Sequence, residues 1–296
     1  MDEEALAAVA FGSGTSLPDS IPRDGSPRRR LLAAIVLGAR GRYAAAAALL
    51  EPLRRAADPV TASLAGSTLA SHRRQLGGHT AARKLDGQAL LAVGLTATDT
   101  RAQTTGNTQL SPRSAEPSDY GLDLAGARAD ALLGLAADNL ALGRTSAARR
   151  LAVRAAQADR RWRATVRGGW VAAETELADG QPEAAIAPAQ LAYDTAVSRG
   201  AARHVVKSGI VLGVALHAAG RPGARELVIA AFEAAEKQGL DSLGWVAAQV
   251  AADLDPGRAE EYRFRSREVL HAVLRHADPG VTRIALESPW VPVGPQ

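Results

Sequence analysis

The side chains most often recruited for chemistry are sparse in this chain and badly spaced for it. There is no cysteine, which excludes disulfides, thiolate catalysis and Cys-containing zinc sites. The six histidines are His72, His79, His204, His217, His271 and His276. None has a second histidine four residues on with a glutamate between, the helical spacing of a zinc site. His271 and His276 are five apart and do not share a helix face. They read as surface or hydrogen-bonded groups. No serine stands in a nucleophile elbow, and no base–nucleophile pair is suggested by spacing. Gly12-Ser13-Gly14 is too short for a phosphate loop and follows no predicted strand. The sequence therefore predicts no catalytic residue, no metal site and no cofactor, and the chain reads as a non-enzyme.

Charge is concentrated in one place. Arg144, Arg149, Arg150, Arg154, Arg160, Arg161, Arg163 and Arg167 fall within 24 residues, opposed only by Asp159. Such a cluster attracts phosphate or an acidic partner. Helical geometry scatters it, because Arg149 and Arg150 point about 100° apart. The first four also fall on a helix expected to look outward, so a solvated convex face is the plain reading and a nucleic-acid surface the functional one. Trp162 and Trp170 are the only aromatics interleaved with it, short of a stacking platform. Asp123, Asp130 and Asp138, at spacings of 7 and 8, share roughly one helix face. They could coordinate a cation; an ion-pair seam with the neighbouring arginines is the simpler expectation.

Composition sets the frame for these groups. Of 296 residues, 47% are hydrophobic but only 4% aromatic, so the apolar mass is mostly alanine and leucine. Alanine is the best helix former and lets helix axes approach closely. The net charge of +4 is carried by arginine, since lysine occurs only as Lys84, Lys207 and Lys237. That bias is what a GC-rich bacterial genome imposes, and it accounts for the basic balance without a polyanionic partner. The start, Met1-Asp2-Glu3-Glu4, is acidic and unlike a signal peptide, and the apolar run Leu31 to Ala39 is too short for a membrane span of about 20 residues. A cytoplasmic protein with no membrane contact is expected.

The elements that must position these residues are marked by six glycines. Gly41, Gly77, Gly143, Gly180, Gly220 and Gly257 are separated by 36, 66, 37, 40 and 37 residues, and each follows one Ala/Leu-rich stretch and precedes another. A period in the upper thirties, split by a turn, is the mark of stacked helical hairpins. The predicted hairpins pair 28–38 with 43–57, 60–76 with 80–93, 122–142 with 146–158, 160–178 with 182–198, 201–219 with 223–238, and 242–254 with 258–276. The interval of 66 is one repeat plus a polar insertion at 96–119, which contains Pro112 and Pro117 and no apolar stripe. Residues 1–26 read as a mobile tail with one short helix near Glu4–Val9. Residues 278–296 read as a Pro-rich tail whose pieces Val281–Leu286 and Trp290-Val291 could dock on the last hairpin. The fold class predicted is an all-α, right-handed superhelix over 27–277.

These hairpins resemble tetratricopeptide repeats. Leu135-Ala136, Gly143, Ala148 and Ala155 follow that family's pattern, as do Leu69-Ala70, Gly77, Ala82 and Ala89. Gly41, Tyr43, Ala46 and Leu53 reproduce the turn and the sites beyond it, and Gly180 is followed by Ala185 and Ala192. Leu212-Gly213 and Gly220 match with the next alanine, Ala224, shifted by one, whereas the hairpin around Gly257 departs from the pattern. The resemblance implies that first helices line a concave groove that binds a peptide or protein segment. By register the groove residues are Ser67, Ser71, Arg74, Asp130, Arg167, Trp170, Glu174, Lys207 and His217. Mixed charge, hydroxyls and one indole suit an extended peptide. The Lys/Asn carboxylate clamp of some relatives is absent. The expected function is a protein-binding scaffold or regulatory module. The alternatives are a nucleic-acid-associated regulator using Arg144–Arg167, and a small-molecule sensor or enzyme with a pocket under 96–119.

Overall fold

The computed structural model describes residues 2–12, 24–94, 119–289, 291 and 292. Among them it contains fourteen α-helices and no strand. They are α1 (Glu3–Phe11), α2 (Pro27–Ala39), α3 (Tyr43–Leu53), α4 (Pro59–Gln75), α5 (His79–Ala92), α6 (Leu124–Ala141) and α7 (Thr145–Ala158). There follow α8 (Trp162–Ala178), α9 (Pro182–Ser198), α10 (Ala202–Ala218), α11 (Ala224–Gln238), α12 (Asp241–Leu254), α13 (Ala259–Arg275) and α14 (Pro279–Glu287). The six hairpins run from α2–α3 to α12–α13, with boundaries within a few residues of those expected. The insertion at 96–119 lies, apart from Asp119, outside the described residues.

Local chemistry accounts for the regularity. Ser26, Asp58 and Asp123 cap α2, α4 and α6 with side-chain oxygens that accept from the third residue on, and Pro27 and Pro59 occupy first-turn positions that need no N–H donor. At the hairpin turns Gly41, Gly77, Gly143, Gly180 and Gly220 all take positive φ, between 66° and 78°. The residue after each donates to the carbonyl five positions back, as Arg42 does to Leu37 at 2.9 Å and Arg144 to Asn139 at 2.8 Å. Gly257 does not follow them: Asp255-Pro256 opens a short 3-10 turn instead, Pro256–Arg258. Beyond the turns, Ala82, Ala89, Ala148, Ala155, Ala185 and Ala192 are buried, each bringing a second helix close against its first.

Neighbouring helices pack in sequence, and the first helices of adjacent hairpins also touch: α2 with α4, α4 with α6, α6 with α8, α8 with α10, and α10 with α12. The series then closes, because α12 packs on α2. At the seam the amide of Ala44 donates to the carbonyl of His276 at 2.8 Å, and Arg42 donates to His276 Nε2 at 2.8 Å. Tyr43 is buried with Leu270, Val273 and Leu274, and the tail helix α14 adds Val281 and Ala285 to that cluster. The C-terminal segment is thus helical over 279–287 and seals the junction between first and last hairpins.

The N-terminal segment also departs from expectation. Far from loose, α1 buries Leu6, Ala7, Ala10 and Phe11 in one cluster with Leu32 and Val36 of α2, Trp162 and Val166 of α8, and Ala192 and Ala196 of α9. The first helices of the first and fourth hairpins stand on opposite sides of a closed series of six, yet both reach this cluster. Helix α1 therefore lays one face against the inner side, while Glu4, Ala5 and Ala8 stay exposed. The stretch Ala5–Phe11 is apolar on every side, the mark of a helix meant for burial.

Candidate functional site

The inner faces of α4, α6, α8 and α10 bring most of the expected groove residues together, and the charged ones pair with one another or with neighbouring helices. Arg74 donates to Asp138 Oδ1 at 2.8 Å and pairs with Asp86 on α5; both carboxylates are fully buried. His79 Nδ1 lies 3.3 Å from Asp138. Asp130 binds Arg163 at 2.7 Å and also pairs with Arg167. Lys207 Nζ is 2.9 Å from Glu174 and stands over the Trp170 ring, while Trp170 Nε1 donates to Ser208 Oγ at 2.8 Å. Ser67 is buried and Ser71 half-buried. His217 is exposed in the last turn of α10 and does not join them. The open polar groove expected for an extended peptide is thus an internally paired wall, covered in part by α1. Ion pairs between neighbouring helices engage its charged groups.

The three aspartates form an ion-pair seam. Asp123 meets Arg161 at 2.5 and 2.7 Å, Asp130 meets Arg163 and Arg167, and Asp138 meets Arg74. The basic cluster is divided by the same contacts. Arg161, Arg163 and Arg167 turn inward, and Arg149 is held by Glu176 and Asp179, the latter at 2.7 Å. Arg144, Arg150, Arg154 and Arg160 are exposed. Eight arginines adjacent in sequence therefore present no single basic stripe.

Burial dominates the electrostatics. It raises the Asp86 carboxyl to about 7, against the pull of Arg74 and with a further push from Asp138. It lowers His72 to about 3 and His204 well below the usual imidazole range, with Arg203 adding to both shifts. Both rings are neutral; His204 stacks on Trp170 and His72 lies beside Tyr43. Burial likewise raises the Tyr43 phenol, so that it remains protonated. Arg74, Arg167 and Arg203 are half-buried.

Arg203, His72 and the α1 residues Leu6 and Phe11 carry no motif, Tyr43 entered only as the aromatic of the first turn, and none of them was among the expected site residues. The one signal for α1 was its uniform apolarity; for Arg203 there was none, because its neighbours come from distant hairpins. Among the described residues no group of three or more His, Asp or Glu could hold a metal ion, and no helix is long and apolar enough to cross a membrane. The expected pocket under 96–119 lies outside the described residues. No protein-family model matches the chain, and no curated protein is similar to it.

Proposed function

We propose that this chain is a non-enzymatic interaction module whose inner wall receives a short apolar helix, and that α1 occupies that place in the absence of a partner. The observation that carries the reading is the seating of α1: four buried side chains contributed by a nine-residue helix, joined to the hairpins by the amide of Ala202 donating to the Gly12 carbonyl at 3.0 Å. A wall that holds a helix by two large and two small apolar side chains, Leu6, Phe11, Ala7 and Ala10, has the chemistry of a helix-in-groove receptor. The likeness of the hairpins to tetratricopeptide repeats supports the same class of function. The self-paired charges make an extended peptide the poorer guest.

The test uses the full chain with Leu6→Glu and Phe11→Glu, which unseat α1 by placing charges in an apolar cluster. A labelled peptide of residues 2–12 should bind this variant and bind wild type much more weakly, because the resident helix competes. Equal binding to both, or none to either, overturns the reading.

A further inference from the structure

We propose that the outer faces of α7 and α9 form the contact surface of a twofold dimer of this chain. Helix α7 carries Arg149, Arg150 and Arg154 and no acid between Thr145 and Ala158. Helix α9 carries Glu183 and Asp194 and no cation between Pro182 and Ser198. All five of these charged residues are exposed. Both helices pack on α8, so a basic ridge and an acidic ridge stand side by side on the outer surface.

Two exposed aliphatic side chains line the furrow between those ridges. Arg149 reaches Glu176 and Asp179, which marks the flank of α7 that faces the fourth hairpin. Val153, one turn further on, shares that flank and is 59% exposed. On α9, Tyr193 marks the flank that faces the fifth hairpin, since its ring would lie 3.7 Å from a Cβ on Gly209 of α10. Leu191, two residues earlier, points about 160° away from Tyr193, toward the third hairpin, and is 55% exposed. Single exposed aliphatics are ordinary on a surface, but two that share one furrow between opposite charges make an apolar centre with a polar rim.

The occupant that fits both ridges at once is a second copy. A twofold axis along the furrow lays α7 of each copy over α9 of the other and gathers Val153 and Leu191 of both into one apolar strip. Arg150 and Arg154 then stand over Glu183 and Asp194, and every such contact is made twice. A nucleic acid or an acidic protein would be drawn to α7 and repelled by α9 beside it. Glu183 pairs with Arg221 of the same chain at 3.1 Å, but both side chains are more than half exposed, which leaves the carboxylate open to a second cation. Asp194 is engaged only by the amide of Gln190, at 2.8 Å, among the described hydrogen bonds. This surface is on the outside of the hairpins, so it does not depend on the reading of α1.

The test is static light scattering on the full chain at low ionic strength across a concentration series. Wild type should rise from the 30.7 kDa of one chain to twice that mass by about 100 μM, and added salt should shift the equilibrium back. Val153→Asp or Leu191→Asp should raise the dissociation constant at least about tenfold, with far-UV circular dichroism unchanged. Arg150→Glu with Arg154→Glu makes both ridges acidic, and Glu183→Lys with Asp194→Lys makes both basic. Each of these charge variants alone should keep the mass of one chain. Mixed one to one they should dimerise, because each acidic ridge then faces a basic one. A wild-type chain that stays single at about 100 μM, or whose mass grows without limit, overturns the proposal. So do dimers that persist in Val153→Asp or in either charge variant alone, and a mixture of the two charge variants that does not associate.

Discussion

Truncating Arg74 to alanine separates a wall built for its own packing from one kept open for guests. Its guanidinium bridges Asp86 on α5 and Asp138 on α6, and both carboxylates are 0% exposed. Removing it leaves two buried carboxylates without their cation in the joint between the second and third hairpins. Breaking a buried pair in this way costs about 3–5 kcal/mol. Spread over the unfolding entropy of a chain this long, that lowers Tm by about 5–8 °C. Urea unfolding followed by far-UV circular dichroism gives the assay: the midpoint falls while the slope is unchanged, because the surface exposed on unfolding is nearly the same. The triple change Arg74→Leu, Asp86→Asn, Asp138→Asn removes the charges together and should recover most of the loss. If Arg74→Ala leaves the midpoint within about 0.5 kcal/mol of wild type, the triad is not a structural joint and Arg74 is free to serve a ligand.

Closure of the ring predicts a difference between two equivalent turns. Gly41 and Gly143 have φ of 68° and 72°, but a Cβ at Gly41 would stand 2.5 Å from Val273 Cγ2 of the last hairpin, whereas at Gly143 it meets nothing within 4 Å. Gly143→Ala should therefore cost only the left-handed penalty of about 1–2 kcal/mol, and Gly41→Ala about 1–3 kcal/mol more by equilibrium unfolding; equal losses mean the seam is not closed. Acid should destabilise the fold through its neutral histidines. His72 and His204 are held below 6.5, so their contribution is complete above that pH and is lost as pH falls toward their folded values, at up to about 1.4 kcal/mol per pH unit each. Asp86, raised to about 7, acts in the opposite sense: its contribution is complete below 3.8 and lost as pH rises through 7. Denaturant midpoints measured from pH 7.5 to 5 should accordingly fall more steeply in Asp86→Asn and less steeply in His72→Gln than in wild type.

Much of this molecule is written in short-range chemistry. Helices and turns depend on residues a few positions apart: a capping Asp58 before Pro59, a glycine at the left-handed position, an alanine at the same offset beyond it. The turn glycine recurs in five of the six hairpins, which is why the boundaries and the all-α class were legible. The Asp123–Asp130–Asp138 spacing announced a seam for the same reason, since one helix face follows from the helical period alone. What the period could not carry is whether six hairpins open into a groove or return to their start. That depends on small rotations at each interface, accumulated until α12 meets α2 and Gly41 meets Val273. Once the ends join, the polar residues placed by register on an inner wall become buried, and burial forces them to pair; Arg74, Arg167 and Lys207 found carboxylates from neighbouring elements. Helix α1 packs inward because Leu6, Ala7, Ala10 and Phe11 form an apolar face, and α2, α8 and α9 together supply the surface that buries it. The same closure brought Arg203 of the fifth hairpin into the electrostatic reach of Tyr43 of the first. Local pattern therefore decided the parts, and long-range packing decided which of their side chains remain free to meet anything else.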